Sequence, residues 1–161
     1  MEFEDQLLNL LLKSPNSGTI KAIAEELEFE HNFSFNKDRN YLQGVWELRW
    51  SSSKSPFLKY SPLIDNLQIL DPFNLNGLNL LKPRGINSII GTGIFISLYY
   101  INEKKIGVKF THAGFIGPKF GGKKIKAMNQ INNEQVGWLE ITYLSNRLRI
   151  CRGDKGTLFV L

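Results

Sequence analysis

Residues 144–161 read Leu144-Ser145-Asn146-Arg147-Leu148-Arg149-Ile150-Cys151-Arg152-Gly153-Asp154-Lys155-Gly156-Thr157-Leu158-Phe159-Val160-Leu161, and this stretch decides the fold. Asp154-Lys155-Gly156 punctuates two short runs, which predicts a strand, a tight turn and a closing strand. A chain end this apolar has to be built into a sheet or barrel, because a frayed tail would leave its side chains in water. About a hundred residues earlier, Gly44-Val45-Trp46-Glu47-Leu48-Arg49-Trp50 opens another alternating strand. Trp46, Leu48 and Trp50 fall on one face of it, and Glu47 and Arg49 on the other.

Ahead of Gly44 the hydrophobic period is helical. Phe3, Leu7, Leu8, Leu10, Leu11 and Leu12 predict one amphipathic helix, and Ile20, Ile23, Ala24 and Leu27 a second, which Ser17 or Thr19 can cap. Residues 30–42 are polar and read as a loop. Residues 61–83 are broken by proline and glycine, and Leu63 to Leu70 fits either a strand or a helical turn. Strands are expected at 86–100, 104–111, 123–131, 137–144, 147–152 and 157–161, joined by short turns. Serial hairpins of this kind make an antiparallel up-and-down meander, and closing it into a β-barrel removes exposed edges. The expected organisation is a single domain spanning 1–161, with a helical segment at 1–40 and a barrel at 41–161.

The 161 residues are 42% hydrophobic and 22% charged, a globular composition without an apolar run of the roughly 20 residues that cross a bilayer as a helix. One cysteine, Cys151, excludes an internal disulfide. The acidic start, Met1-Glu2-Phe3-Glu4-Asp5, lacks the features of a secretory signal or transit peptide, so the expectation is a protein that stays in the compartment that made it. Net charge is +5 but unevenly placed: residues 1–40 carry −4 and residues 41–161 carry +9. A basic barrel suits anionic lipid headgroups, or equally attracts the acidic helices; nucleic acid is the weaker reading.

No catalytic constellation emerges. His31, His112 and Cys151 are too few and too scattered for a zinc site, and Ser51-Ser52-Ser53 lacks a nucleophile elbow. His112 follows Phe110 by two residues, and parity points it inward. Residues 113–126 place Phe115, Ile116 and Phe120 among glycines and Lys119, Lys123, Lys124 and Lys126. That pattern suits a membrane-contact loop, a lid over a ligand mouth, or a loop folded back on the barrel.

Gly44-x-Trp46, together with Arg149-x-x-Arg152-Gly153-Asp154-x-Gly156 and the Thr157-x-Phe159-x-Leu161 ending, resembles the plastid lipid-associated protein family, also called the plant fibrillins. The resemblance spans most of residues 40–161. It implies a lipocalin-like barrel without enzymatic activity or cofactor. It also implies a small hydrophobic ligand (isoprenoid quinone, carotenoid or fatty acid) and peripheral association with anionic thylakoid lipids, here from a cyanobacterial cytoplasm. In such barrels an arginine from a late strand covers the first-strand tryptophan; parity nominates Arg152 over Trp46, with Gly44 allowing close backbone approach. Asp154 either shapes the turn or helps hold ligand. The apolar sides of the strands nominate Trp50, Ile106, Val108, Phe110, Ile141 and Tyr143 as ligand-lining. Rival readings are a chromophore (bilin) lyase, or a filled barrel that assists prenylquinone synthesis or coats lipid.

Overall fold

The computed structural model describes residues 2–30, 33–55, 58–85, 90–132 and 136–161. His31, Pro56, residues 86–89 of the strand expected at 86–100, and the turn at 133–134 lie outside them. Two helices form where the periodicity places them, α1 (Glu2–Lys13) and α2 (Thr19–Glu30). A third, α3 (Phe35–Leu42), occupies the stretch read as a loop. Its composition is polar because only Phe35 and Leu42 are buried, and packing rather than propensity holds the helix. Phe33, Phe35 and Leu42 join the core cluster inside one end of the barrel, and the Phe35 amide donates to Glu103 O at 2.8 Å. The helix therefore plugs the base.

Among the described residues ten strands follow: β1 (Gly44–Glu47), β2 (Trp50–Ser51), β3 (Ile64–Asp71), β4 (Asn76–Pro83), β5 (Gly91–Tyr100), β6 (Lys105–Phe120), β7 (Lys123–Gln130), β8 (Val136–Leu144), β9 (Arg149–Gly153) and β10 (Leu158–Val160). Of the stretch 63–70, Leu63 lies in a turn and 64–70 are strand. All pairings are antiparallel, in the order β1-β3-β4-β5-β6-β8-β9-β10-β2, with β7 beside β6 alone. The two ends of this path, β1 and β2, are halves of one segment. At its bend the Leu48 amide donates to Asn66 O (2.8 Å), and the next amide, Arg49, donates to Val160 O (2.9 Å). One strand thus holds both margins of the sheet, and the meander curls into the lipocalin-like barrel. Gly44 starts it at φ 147°, a conformation that favours glycine; the space around it is open, so backbone angle rather than close approach requires the residue.

The outer face of β8–β10 is also buried. Leu148, Ile150, Leu158 and Val160 pack against Leu7, Leu11, Ile20, Ile23, Ala24 and Leu27 of α1 and α2. Polar ties fix the helices. Buried Glu4 accepts from Tyr143 Oη (2.9 Å), Ser145 Oγ (3.0 Å) and Arg147 Nε (3.1 Å), and Arg152 pairs with Glu28 at 2.5 Å and Glu25 at 3.5 Å. The acidic helices and basic strands attract each other directly, which accounts for part of the charge asymmetry.

The stretch 113–126 is not a loop. β6 runs on to Phe120, Gly121 and Gly122 turn at φ 57° and 78°, and β7 returns with Lys123 opposite Phe120. Two glycines at positive φ match the tight hairpin turn whose twist suits antiparallel strands.

Because Ile150 is fully buried beneath the helices, Ile150→Ala should cost about 2–5 kcal/mol. Leu12→Ala, on the exposed side of α1, should stay within about 0.5 kcal/mol. Urea denaturation of the two variants checks the helix–sheet packing.

Candidate functional site

The barrel interior is divided. At the base, Leu70, Ile96, Leu98, Ile106, Ile141 and Leu144 pack with Trp46 and α3, leaving a void of only about 10 Å³. Toward the other end the interior opens into a cavity of about 360 Å³ that reaches solvent. Its wall is mostly apolar: Val108 and Phe110 of β6, Leu139 of β8, and Phe159 and Leu161 at the C-terminus. Trp138 has the opposite parity to Leu139 and turns to the outer face, where Lys105 Nζ stands 4.2 Å from its ring centre. The mouth lies where β3 and β8 begin and β9 ends, among Leu58, Val136 and Asp154.

At the cavity floor lies a polar row. Trp46, Gln68 and Asn79 are register partners across β1, β3 and β4, and Gln68 Nε2 donates to Asn79 Oδ1 at 3.1 Å. Arg149 of β9 meets this row. Its Nη2 donates to Gln68 Oε1, and its guanidinium carbon stands 5.2 Å from the centre of the Trp46 ring. Trp46 Nε1 in turn donates to Leu42 O at 3.0 Å, tying the indole to α3. Arg149 is 1% exposed, and desolvation depresses its pKa; Cys151 beside it, also buried, has its pKa raised by the same cause. Desolvation disfavours the charged form of each, guanidinium and thiolate alike.

Several expected positions are corrected. The arginine over Trp46 is Arg149, not Arg152. Leu148 and Ile150 do face a core, but it is the one beneath the helices, so the opposite parity of β9, Arg149 and Cys151, faces the barrel interior. Trp50 shares parity with Trp46, yet the bend at Leu48-Arg49 turns it toward the helical cluster. Tyr143 also packs there, because a bulge between Ile141 and Tyr143 breaks the alternation after Ile141. Another irregularity, opposite Phe95 and Ile96, leaves Thr111 unpaired in the β5 register and turns His112 out into solvent. Ile106 and Ile141 are interior but belong to the packed base. Val108, Phe110 and Asp154 line the cavity, Asp154 as an exposed residue at the mouth.

Of the membrane-contact set, Phe115 (47% exposed) and Phe120 (83%) are open to solvent, as are Lys123 and Lys126. Ile116 is buried at 3% exposure, folded over Gly93 of β5, and so cannot touch a bilayer. The side chains of Lys119 and Lys124 lie outside the described residues. Sequence reasoning did not nominate Gln68, Asn79 or Arg149 for the interior. The signal was present as Asn66-x-Gln68, polar residues on the inward parity of β3, which set the position apart from an ordinary apolar core.

Among the described residues no group of three or more His, Cys, Asp or Glu side chains is placed to hold a metal ion. The geometry is that of a barrel whose base is packed and whose other end offers one open, largely apolar cavity with a buried arginine at its floor. The chain belongs to the plastid lipid-associated protein family: the PAP_fibrillin profile matches residues 10–161. It is similar to a curated protein of Arabidopsis thaliana described as probable plastid-lipid-associated protein 12, chloroplastic, with 29% identity over 139 residues. The match covers 77% of this chain and 33% of that protein, so the chain spans about a third of the length of the relative. No solved structure matches it significantly.

Burial of Cys151 gives a direct check on the site. Its raised pKa and 2% exposure predict slow alkylation by iodoacetamide at neutral pH in the folded protein, and fast alkylation once urea unfolds it. Intact-mass measurement of the adduct over time reads both rates.

Proposed function

We propose that the protein binds a small hydrophobic ligand, of the isoprenoid quinone, carotenoid or fatty-acid type, and associates peripherally with a photosynthetic membrane without catalysing a reaction. The observation that carries this reading is the open cavity of about 360 Å³ with its mostly apolar wall. Ligand pockets span roughly 300–1,000 Å³, and burial contributes about 25 cal/mol for each Å² of apolar surface removed from water. A filled barrel would show only the packing seen at the base. The helices and barrel act in this reading as one unit.

The mouth end supports a membrane approach. Leu63, Ile64, Val136 and Phe120 are all exposed there or on the β6–β7 hairpin that rises beside it, and Lys123 and Lys126 flank the hairpin. Apolar tips entering the interface, with lysines at anionic headgroups, would bring the mouth to the ligand's source.

Titration with decylubiquinone, a carotenoid and a fatty acid should quench tryptophan fluorescence saturably for at least one class, since Trp46 lies beneath Arg149 at the cavity floor. Absence of quenching by every class, with no lipid in a native mass spectrum of protein purified from its source, would put the filled-scaffold reading ahead. Flotation should show binding to anionic vesicles that weakens, without vanishing, as salt shortens the Debye length from about 10 Å at 0.1 M to about 3 Å at 1 M. The combination Phe120→Asp, Lys123→Glu and Lys126→Glu should abolish it. If that variant floats like the wild type, the hairpin is not the contact.

A further inference from the structure

Arg149 distinguishes one ligand chemistry from the others, on the reading that the cavity is a ligand site. It is the largest fully buried side chain among the described residues, and its Nε has no hydrogen-bond partner among them. Among the described residues it forms no ion pair, whereas Arg147 and Arg152, close by in sequence, each reach two carboxylates. Its one side-chain partner, Gln68, is neutral. The Trp46 ring offers a cation–π contact but no countercharge. Arginine stays protonated in proteins, so a positive charge is held out of water without an ion-pair partner among the described residues. Breaking a buried pair by removing one partner is among the costlier changes a protein can undergo, and Arg149 sits in that unpaired condition at the floor of an open cavity.

We propose that the cavity receives an apolar molecule ending in one carboxylate, with the carboxylate seated against the guanidinium of Arg149 and the chain running past Phe110 and Leu139 to the mouth. Three features favour this occupant. A single carboxylate matches a single unpaired guanidinium, whereas a diphosphate would leave surplus negative charge buried. A quinone carbonyl would accept a hydrogen bond but leave the charge uncompensated. Asp154, exposed at the mouth, repels an acid placed there and sets the head-inward direction. The cavity is at the small end of the usual range, so a long chain continues into the apolar rim at Leu58 and Val136.

Isothermal titration of the full chain with decanoate and with decanol, uncharged and of equal length, tests the head group. The wild type should bind decanoate about tenfold or more tightly than decanol, the margin of a charge-assisted hydrogen bond. Arg149→Met should erase that preference, so that decanoate binds no more tightly than decanol, and Arg149→Lys should retain part of it. Equal affinities in the wild type, or a preference for decanoate that survives in Arg149→Met, would overturn the role of Arg149 and leave the apolar ligand site standing. Binding of neither molecule by the wild type would overturn both readings. Should Arg149→Met fail to fold, the wild-type comparison and Arg149→Lys decide the question.

Discussion

The bend at Leu48-Arg49 is the constraint on which the rest of the structure depends. Two successive amides of one strand donate in opposite lateral directions, Leu48 to β3 and Arg49 to β10. Alternation of amide direction is a property of any extended strand, and here it makes two edges into one seam. The C-terminus is trapped by the same seam. Val160 receives the Arg49 amide, and Leu161 exchanges both backbone bonds with Arg149 at 2.9 Å. A sheet edge with this many apolar residues would invite pairing with other chains if it were left free. The Arg49 side chain reinforces the bend, with Nη2 donating to Leu11 O at 3.3 Å and its guanidinium 4.9 Å from the Tyr60 ring centre, so the closure and the docking of α1 share one residue.

Closing the sheet creates an inside, while α1 and α2 create a second buried face outside it. This doubling explains both what was legible in the sequence and what was not. The terminal hairpin, the strand opened by Gly44-x-Trp46, the meander and the first two helices follow from period and turn chemistry alone. Parity gave correct pairs of faces but not which face looked inward. In β9 every residue except Arg152 is buried, so neither face could be recognised as solvent-exposed from its neighbours. The apolar parity of β9 belongs under the helices, and the parity carrying Arg149 and Cys151 looks inward. Bulges redirect Tyr143 and His112, because one extra residue reverses every side chain beyond it, and the bend at Leu48-Arg49 redirects Trp50. The helix at 35–42 was hidden for a different reason: two buried anchors seven residues apart leave no visible stripe in a polar stretch.

Three arginines on one short segment, Arg147, Arg149 and Arg152, come to three different environments. Arg147 bonds Glu4 and Asp5 of α1, and Arg152 clasps Glu28 and Glu25 of α2. Both guanidinium groups are partly exposed, so Coulomb attraction is screened on the arginine side and the gain per pair is modest. Their effect is to orient: carboxylates that would otherwise be solvated are drawn over the outer face of β8 and β9, and the apolar helix stripes follow. Arg149 points the other way and meets no such partner. The same residue type that anchors helices on one side of the sheet is thus left unneutralised on the other.

That contrast separates stability from binding within one small barrel. The base is closed by Trp46, Phe35 and Leu42 and packed to a void of about 10 Å³, too small to hold a water molecule comfortably. The mouth half keeps its space because Asn66, Gln68, Asn79 and Thr92 replace the large apolar residues that would fill it. Polar residues on the inward parity both limit collapse of the wall and require hydrogen-bond partners, which Gln68, Asn79 and Arg149 supply to one another. The network is satisfied except at Arg149 Nε, which lies where the packed base gives way to the open cavity. A fully packed interior would have had no room for a partner to that atom. The open upper half leaves the room, and the rigid base holds the guanidinium in place beneath it.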